Sequence, residues 1–321
     1  MSDKPFVLVT RKLPDAVEAR LARDYDARLN PDDRSFGADE LIERASGAVA
    51  IIPCHTDALT ADVIARLPGC IKAICNFSVG YNHVDIEAAR KRGLIVTNTP
   101  DVLSDATAEI AMLCLLGAAR RANENMRLLQ TAAWRDWSPT FMLGAQITGK
   151  RLGIIGMGRV GQVMARRARG FDMTVHYYNR RPLAAETEAG AVYHESLEAL
   201  LPHCDYLSIH CPATAETEGL LNAGRIALLP DGAVVVNTAR GSIIDDEALI
   251  AALRSGKLFA AGLDVFNDEP DIHPAYRELE NVFPLPHIGS ATRETRDAMG
   301  FRALDNLDAI VAGREPGDRV A

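Results

Sequence analysis

Residues 151–170 constrain the fold of this chain more than any other stretch. Arg151-Leu152-Gly153-Ile154-Ile155 has strand character, Gly156-Met157-Gly158-Arg159-Val160-Gly161 follows at once, and residues 160–170 read as a helix. A strand, a glycine turn and a helix in that order are the parts of a dinucleotide-binding βαβ unit. Gly156 suits the tight turn, Gly158 lets the backbone approach a pyrophosphate, and Gly161 lets the helix pack closely on the strand. The first turn of the helix then presents unpaired N–H groups and a positive dipole end to the phosphates.

The strand that follows, residues 173–178, ends in Asn179-Arg180-Arg181. A carboxylate commonly stands about 20 residues beyond the glycine motif and accepts from the ribose 2′-OH of NAD. A neutral side chain followed by two arginines favours a 2′-phosphate, because guanidinium groups bind phosphate through paired N–H donors. NADP(H) is therefore expected, with NAD(H) as the lesser alternative.

Alternation of short β-rich runs with helical patterns extends over the whole chain and predicts parallel sheets. Strands are expected at 6–10, 48–53, 71–76 and 94–97, and helices at 14–24, 61–67 and 86–92, with Thr60 as a cap. Residues 104–130 read as helical with a broad apolar face. Residues 133–150, which hold Trp134 and Trp137, read as an irregular arm. Beyond the glycine unit, strands are expected at 206–210, 233–237, 260–264 and 282–285, with helices at 197–201 and 245–255. A closing helix at 293–312 ends at Gly313.

The 321 residues suit two domains rather than one core. A net charge of −8 argues against nucleic acid as a partner, since phosphate binding needs a concentrated basic surface. No uncharged run is long enough to span a bilayer and no secretory leader is visible, so a cytoplasmic protein without membrane association is expected. Six cysteines without metal spacing read as free thiols, and no metal is expected. The histidines other than His287 are given no catalytic role, and most are expected as surface or packing residues.

Several separated motifs resemble those of the D-isomer specific 2-hydroxyacid dehydrogenase family, and within it the glyoxylate/hydroxypyruvate reductases. They are Ser78-Val-Gly-Tyr-Asn-His-Val-Asp85, Asn98-Thr-Pro-Asp-Val-Leu103, Asp105-Ala-Thr-Ala-Glu109, the glycine loop, His210-Cys-Pro212, Asn237-Thr-Ala-Arg-Gly241, Gly262-Leu-Asp-Val-Phe266 with Glu269-Pro270, and Pro286-His-Ile-Gly-Ser290. The resemblance spans nearly the whole chain. It implies two α/β domains, Rossmann-like and flavodoxin-like, with parallel sheets and an active site in the interdomain cleft. A discontinuous substrate domain (1–100 plus 288–321) would surround a NAD(P)-binding domain (101–287), with hinges near Pro100 and His287.

The resemblance also implies the chemistry of named residues. His287 would give a proton to the carbonyl oxygen, as an imidazole titrating near working pH can. Glu269 would orient the ring, and Arg240 would bind the substrate carboxylate and polarise the carbonyl. Val79 and Gly80 would hold the carboxylate through backbone N–H groups. Thr107 and Asp264 would meet the nicotinamide, and Cys211 and Pro212, with His210, the adenosine side. Met157, Arg159 and Val160 belong to the glycine loop, and Thr238, Ala239 and Ser290 are further cofactor contacts. The 101–150 arm would cross a homodimer, with Trp137 closing the partner's substrate pocket. Asn82 stands where the family more often has Asp, and Cys54-His55 leaves the substrate's side chain open. The implied reaction is NADPH-dependent reduction of glyoxylate or hydroxypyruvate. The alternatives are another 2-keto acid, such as 2-ketogluconate, or a dinucleotide-sensing protein like the C-terminal-binding-protein corepressors.

Overall fold

The computed structural model describes residues 4–321. The chain forms two compact units, one comprising residues 4–103 and Ser290–Ala321, the other Ser104–Gly289.

The first unit is built on five parallel strands: β1 (Phe6–Val9), β2 (Asp26–Arg28), β3 (Ala50–Ile52), β4 (Ala73–Cys75) and β5 (Ile95–Thr97), in the order β2-β1-β3-β4-β5. Alternate residues feed opposite cores, as the two-residue period of a strand requires. Leu8, Ile51, Ile74 and Val96 pack on one face with Leu41, Val63 and Ile64. Val7, Val9, Ile52 and Cys75 pack on the other with Val17, Leu21, Met299, Leu304 and Leu307. The closing helix, Arg293–Val311, thus belongs to this unit's core, which pattern alone could not decide. Thr292 caps it, and Gly313 follows it at φ +69°.

The second unit holds seven parallel strands: β6 (Arg151–Ile155), β7 (Thr174–Tyr178), β8 (Val192–His194), β9 (Tyr206–Ile209), β10 (Ala233–Asn237), β11 (Leu258–Leu263) and β12 (Val282–Pro284). Their order is β12-β11-β10-β9-β6-β7-β8. Helix Ser104–Ala119 crosses one face and packs with Leu152, Ile154, Val234 and Val236. A Cβ on Gly262 would stand 2.4 Å from the Cys114 carbonyl oxygen, so glycine sets how closely this helix approaches β11.

Some elements differ from expectation. The helical stretch over 104–130 is two helices, Ser104–Ala119 and Ala122–Gln130, parted where Arg121 takes φ 53°. Strands β2 and β8 and helices Ala38–Arg44 and Ala223–Leu228 carry no clear apolar period and were not expected. Among the described residues no helix is long and apolar enough to cross a membrane.

Candidate active site

In parallel α/β sheets ligands gather at the carboxyl ends of the strands, where the strand order reverses. In the second unit that reversal lies between β6 and β9, and the glycine loop leaves β6 at this point. Gly156 sits at φ +92°, and a Cβ there would lie 2.5 Å from the Cys211 nitrogen. A Cβ on Gly161 would meet the Gly156 oxygen at 2.3 Å, whereas Gly158 faces open space. Gly156 and Gly161 are therefore required by packing, and Gly158 leaves a bare backbone toward any ligand.

Helix Arg159–Arg169 has no side-chain cap and no acidic residue in its first turn. Its first intrahelical donor is the Gln162 N–H, to the Gly158 oxygen at 2.9 Å. The N–H groups of Arg159, Val160 and Gly161 come before it, the arrangement that favours an anion. Asn179, at the end of β7, accepts the Met157 N–H through Oδ1 at 2.7 Å, so it braces the loop. Arg180 and Arg181 are exposed, and among the described residues no carboxylate pairs with either. His210 and Cys211 follow β9. His210 is held by Ser208 at 2.8 Å, and burial pushes its imidazole down to about 4. Burial likewise pushes the Cys211 thiol up to about 11, so this cysteine lines rather than reacts.

The ends of β10, β11 and β12 bring Arg240, Glu269 and His287 into one region. Asn237 clamps the 238–240 turn, accepting from the Ala239 N–H at 3.0 Å and donating to the Arg240 oxygen at 2.8 Å. Arg240 is set in extended backbone, and burial lowers its guanidinium from the usual range while Glu269 opposes that shift. A Cβ on Gly241 would lie 2.0 Å from the Phe266 carbonyl carbon, so the Arg240 turn packs directly on the loop that carries Glu269. Glu269 is held at both oxygens: Oε1 accepts the Phe266 N–H at 2.8 Å and Oε2 meets His287 Nδ1 at 2.6 Å. His287 takes φ 54°, and its own N–H donates to the Asp264 oxygen at 2.9 Å. A His–carboxylate contact of this length lets the imidazole carry a proton on the opposite nitrogen, Nε2, in a fixed direction.

Two polar atoms beside this group are buried without a hydrogen-bond partner: Thr238 Oγ1 and Asp264 Oδ2. Asp264 is fully buried, its Oδ1 accepts the Ile288 N–H at 2.8 Å, and burial raises its carboxyl. A Cβ built on Gly289 would stand 3.1 Å from Asp264 Oδ2 and 3.5 Å from Thr107 Cγ2, so these three converge. Orphaned buried acceptors are costly in a folded protein, and a ligand carrying donors removes the cost. A carboxamide supplies such donors and a pyrophosphate fits the glycine loop, so the residues suit a nicotinamide dinucleotide.

The first unit carries its candidate residues on the same edge of its own sheet. The N–H groups of Val79 and Gly80 donate to no acceptor among the described residues, while Asn98 Nδ2 and Ser78 Oγ hold their carbonyls at 2.9 and 2.6 Å. Two adjacent open amides form a small anion nest. Past β3, Asp57 Oδ2 accepts from Thr10 Oγ1 at 2.6 Å and the Cys54 N–H at 2.8 Å, and Cys54 is pushed up to about 12 by burial. Arg296, whose Nε donates to the Ser290 oxygen at 3.2 Å, is held below its usual range by burial.

Residues 112–289 match the model of the D-isomer specific 2-hydroxyacid dehydrogenase NAD-binding domain. The chain is 41% identical over 314 residues to a glycerate dehydrogenase of Hyphomicrobium methylovorum, covering 97% of this chain and 98% of the relative. The chain belongs to the D-isomer specific 2-hydroxyacid dehydrogenase family.

This dehydrogenase is an oxidoreductase with a nicotinamide dinucleotide as cofactor and a small 2-hydroxy or 2-keto acid as substrate. Its fold is shared by solved structures. A D-isomer specific 2-hydroxyacid dehydrogenase from a Polaromonas species superposes with a TM-score of 0.94 at 46% identity, over 99% of this chain and 100% of the other. An NADPH-dependent glyoxylate/hydroxypyruvate reductase from Sinorhizobium meliloti, solved with NADP and malonate, superposes at 0.87 with 31% identity, over 99% and 97%. Three positioning residues of the dehydrogenase escaped sequence reasoning: Asn237, Gly241 and Gln162, whose Nε2 donates to the Met157 oxygen at 3.3 Å. Only Gly241 left a signal, the glycine directly after the arginine.

Proposed function

We propose that this dehydrogenase reduces glyoxylate or hydroxypyruvate to the D-2-hydroxy acid and prefers NADPH to NADH. The observation that carries the reading is the 2.6 Å contact of His287 Nδ1 with Glu269 Oε2 on the loop that packs against Arg240. The reduced nicotinamide, when bound, supplies the hydride. The chain supplies the proton and the charge. His287 donates from Nε2 to the carbonyl oxygen as the hydroxyl forms, and Glu269, accepting from Nδ1–H, pairs with the imidazolium that makes this donation and fixes the ring's direction. Arg240 binds the substrate carboxylate and draws electron density toward the carbonyl oxygen. The open amides of Val79 and Gly80 are assigned to substrate binding as a small anion nest.

Thr107, Thr238 Oγ1 and Asp264 Oδ2 are assigned to the nicotinamide end, and Ala239 and Ser290 are assigned as further cofactor contacts. The loop from Gly156 to Gly161 is assigned to the pyrophosphate, and His210, Cys211 and Pro212 to the adenosine. Asn179, Arg180 and Arg181 are assigned to the ribose and its 2′-phosphate; among the described residues no carboxylate competes for either arginine, which supports the NADPH preference. Hydroxypyruvate is the 2-keto acid formed when glycerate is oxidised at C2, which agrees with the likeness to a glycerate dehydrogenase.

We also assign the surface of residues 122–143 to a second copy of the chain. Helix Ala122–Gln130 buries none of its residues, and Leu129, Trp134, Trp137 and Leu143 are all more than half exposed. Exposed large apolar side chains close in sequence support this assignment. Sedimentation giving a monomer at micromolar concentration overturns it.

Steady-state rates with glyoxylate, hydroxypyruvate, pyruvate and 2-ketogluconate, each with NADPH and NADH, test the reaction. The highest kcat/KM is expected for glyoxylate or hydroxypyruvate with NADPH, and His287→Ala should lose kcat while cofactor affinity survives. Faster turnover of pyruvate or 2-ketogluconate, or a clear NADH preference, contradicts the corresponding half of the proposal.

A further inference from the structure

Three histidines that the reaction does not use meet on one face of the second unit's sheet. His176 lies on β7 and His194 on β8. In their parallel register His176 pairs with Val192 and Tyr178 with His194. His194 is therefore the diagonal neighbour of His176 on the same face, within reach of its ring. His176 Nδ1 and His194 Nε2 stand 3.0 Å apart. His203 comes down from the turn Leu201–His203, and its ring centroid is 5.3 Å from that of His176 and 5.0 Å from that of His194. His176 and His194 are half-exposed and His203 is exposed, so ions in solvent reach the group.

We propose that His176 Nδ1, His194 Nε2 and a ring nitrogen of His203 bind one divalent transition ion of the zinc or nickel class, with water completing the shell. Imidazole is the side chain best suited to these ions. Two imidazole nitrogens sharing one tetrahedral ion at bonds of about 2.0–2.1 Å stand about 3.3 Å apart, so the first pair needs only a few tenths of an ångström. His203 is stacked on His176 with an interplanar angle of 5°. Lone pairs lie in the ring plane, so His203 must turn about its own side chain to join, and its exposure leaves room for that. The Asp205 carboxylate, two residues past His203, is taken by Arg151 at 2.7 Å and does not compete. The ion would tie β7, β8 and the 201–203 turn together, three residues ahead of Asn179.

Neutral imidazoles can also share a proton as N–H···N, and the His287–Glu269 pair could capture a metal instead. Isothermal titration of the intact protein with zinc chloride at pH 7.5, in a buffer that does not chelate, separates these. One zinc per chain is expected, with a rise in Tm on adding zinc. His194→Ala should weaken that binding at least 10-fold and cancel the Tm rise. His203→Ala should weaken it several-fold, and His287→Ala should leave it unchanged; circular dichroism checks that each variant is folded. Absence of stoichiometric binding by the wild type overturns the proposal. So does binding that survives His194→Ala or His203→Ala intact, or binding lost only with His287→Ala.

Discussion

Glu269→Gln tests the proposed mechanism at its narrowest point. The side chains are the same size, and Gln Oε1 can still accept the Phe266 N–H that Glu269 accepts at 2.8 Å, so the loop keeps its anchor. What changes is the 2.6 Å contact with His287 Nδ1, which becomes neutral. Hydrogen bonds to a charged group contribute about 1.5–3 kcal/mol net, against about 1 kcal/mol for a neutral pair. Both side chains are about a quarter exposed, which argues for the lower part of that range. A loss of about 0.5–1 kcal/mol in the transition state is about a 2- to 5-fold fall in kcat/KM. Stopped-flow measurement of NADPH oxidation with saturating glyoxylate separates the chemical step from binding. Fluorescence titration of NADPH gives the cofactor Kd, which should hold, because Glu269 is assigned no cofactor contact. Unchanged kcat/KM would refute the orienting role. A large rise in cofactor Kd with unchanged kcat would place Glu269 in cofactor binding instead.

Three other outcomes follow from the same geometry. Replacing Arg180 and Arg181 together by Ala should raise KM for NADPH at least 10-fold and leave KM for NADH nearly unchanged; equal effects on both would remove the 2′-phosphate assignment. Gly156→Ala should weaken dinucleotide binding at least 10-fold in a fluorescence titration, because φ +92° disfavours a side chain and the new Cβ would press on the Cys211 nitrogen; wild-type affinity would show that the loop is not in the binding path. His210, held near 4 by burial against an ordinary 6.5, binds its proton more readily when unfolded. Its contribution to stability is therefore present above about pH 6.5 and lost as pH falls toward 4, so His210→Gln should flatten the Tm-against-pH curve over that window, and an unchanged slope would contradict the burial.

Much of the fold is legible where local signals are strong. The run from Arg151 through the glycine loop into its helix is written in consecutive residues, and Thr60 caps its helix as expected, accepting the Val63 N–H. Strands buried on both faces, such as β10 with Ala233–Asn237, stand out as apolar runs. β2 and β8 did not, because they lie at sheet edges, are three residues long and are largely exposed. The break at Arg121 hides inside a continuous helical pattern, since a single residue at φ 53° leaves no trace in the apolar period.

The candidate site divides in the same way. Gly156, Gly158 and Gly161 are readable one by one, because a tight turn and a close backbone approach demand glycine. Arg240, Glu269 and His287 are not: each is an ordinary residue in a short turn, and only their joint resemblance to a family singled them out. The clamp that Asn237 makes and the meeting of the three histidines at 176, 194 and 203 needed coordinates altogether.

The order of residues along the chain was enough to decide that parallel sheets form and where a strand, a glycine turn and a helix follow one another. These are short-range consequences of φ and of the two-residue strand period. Tertiary structure alone decided that the closing helix packs beside Val17 and Leu21, that Glu269 is fixed at both oxygens, and that His176 comes within 3.0 Å of His194. Those contacts join residues far apart in sequence, and their distances are fixed by how sheets and helices pack, which no local pattern encodes.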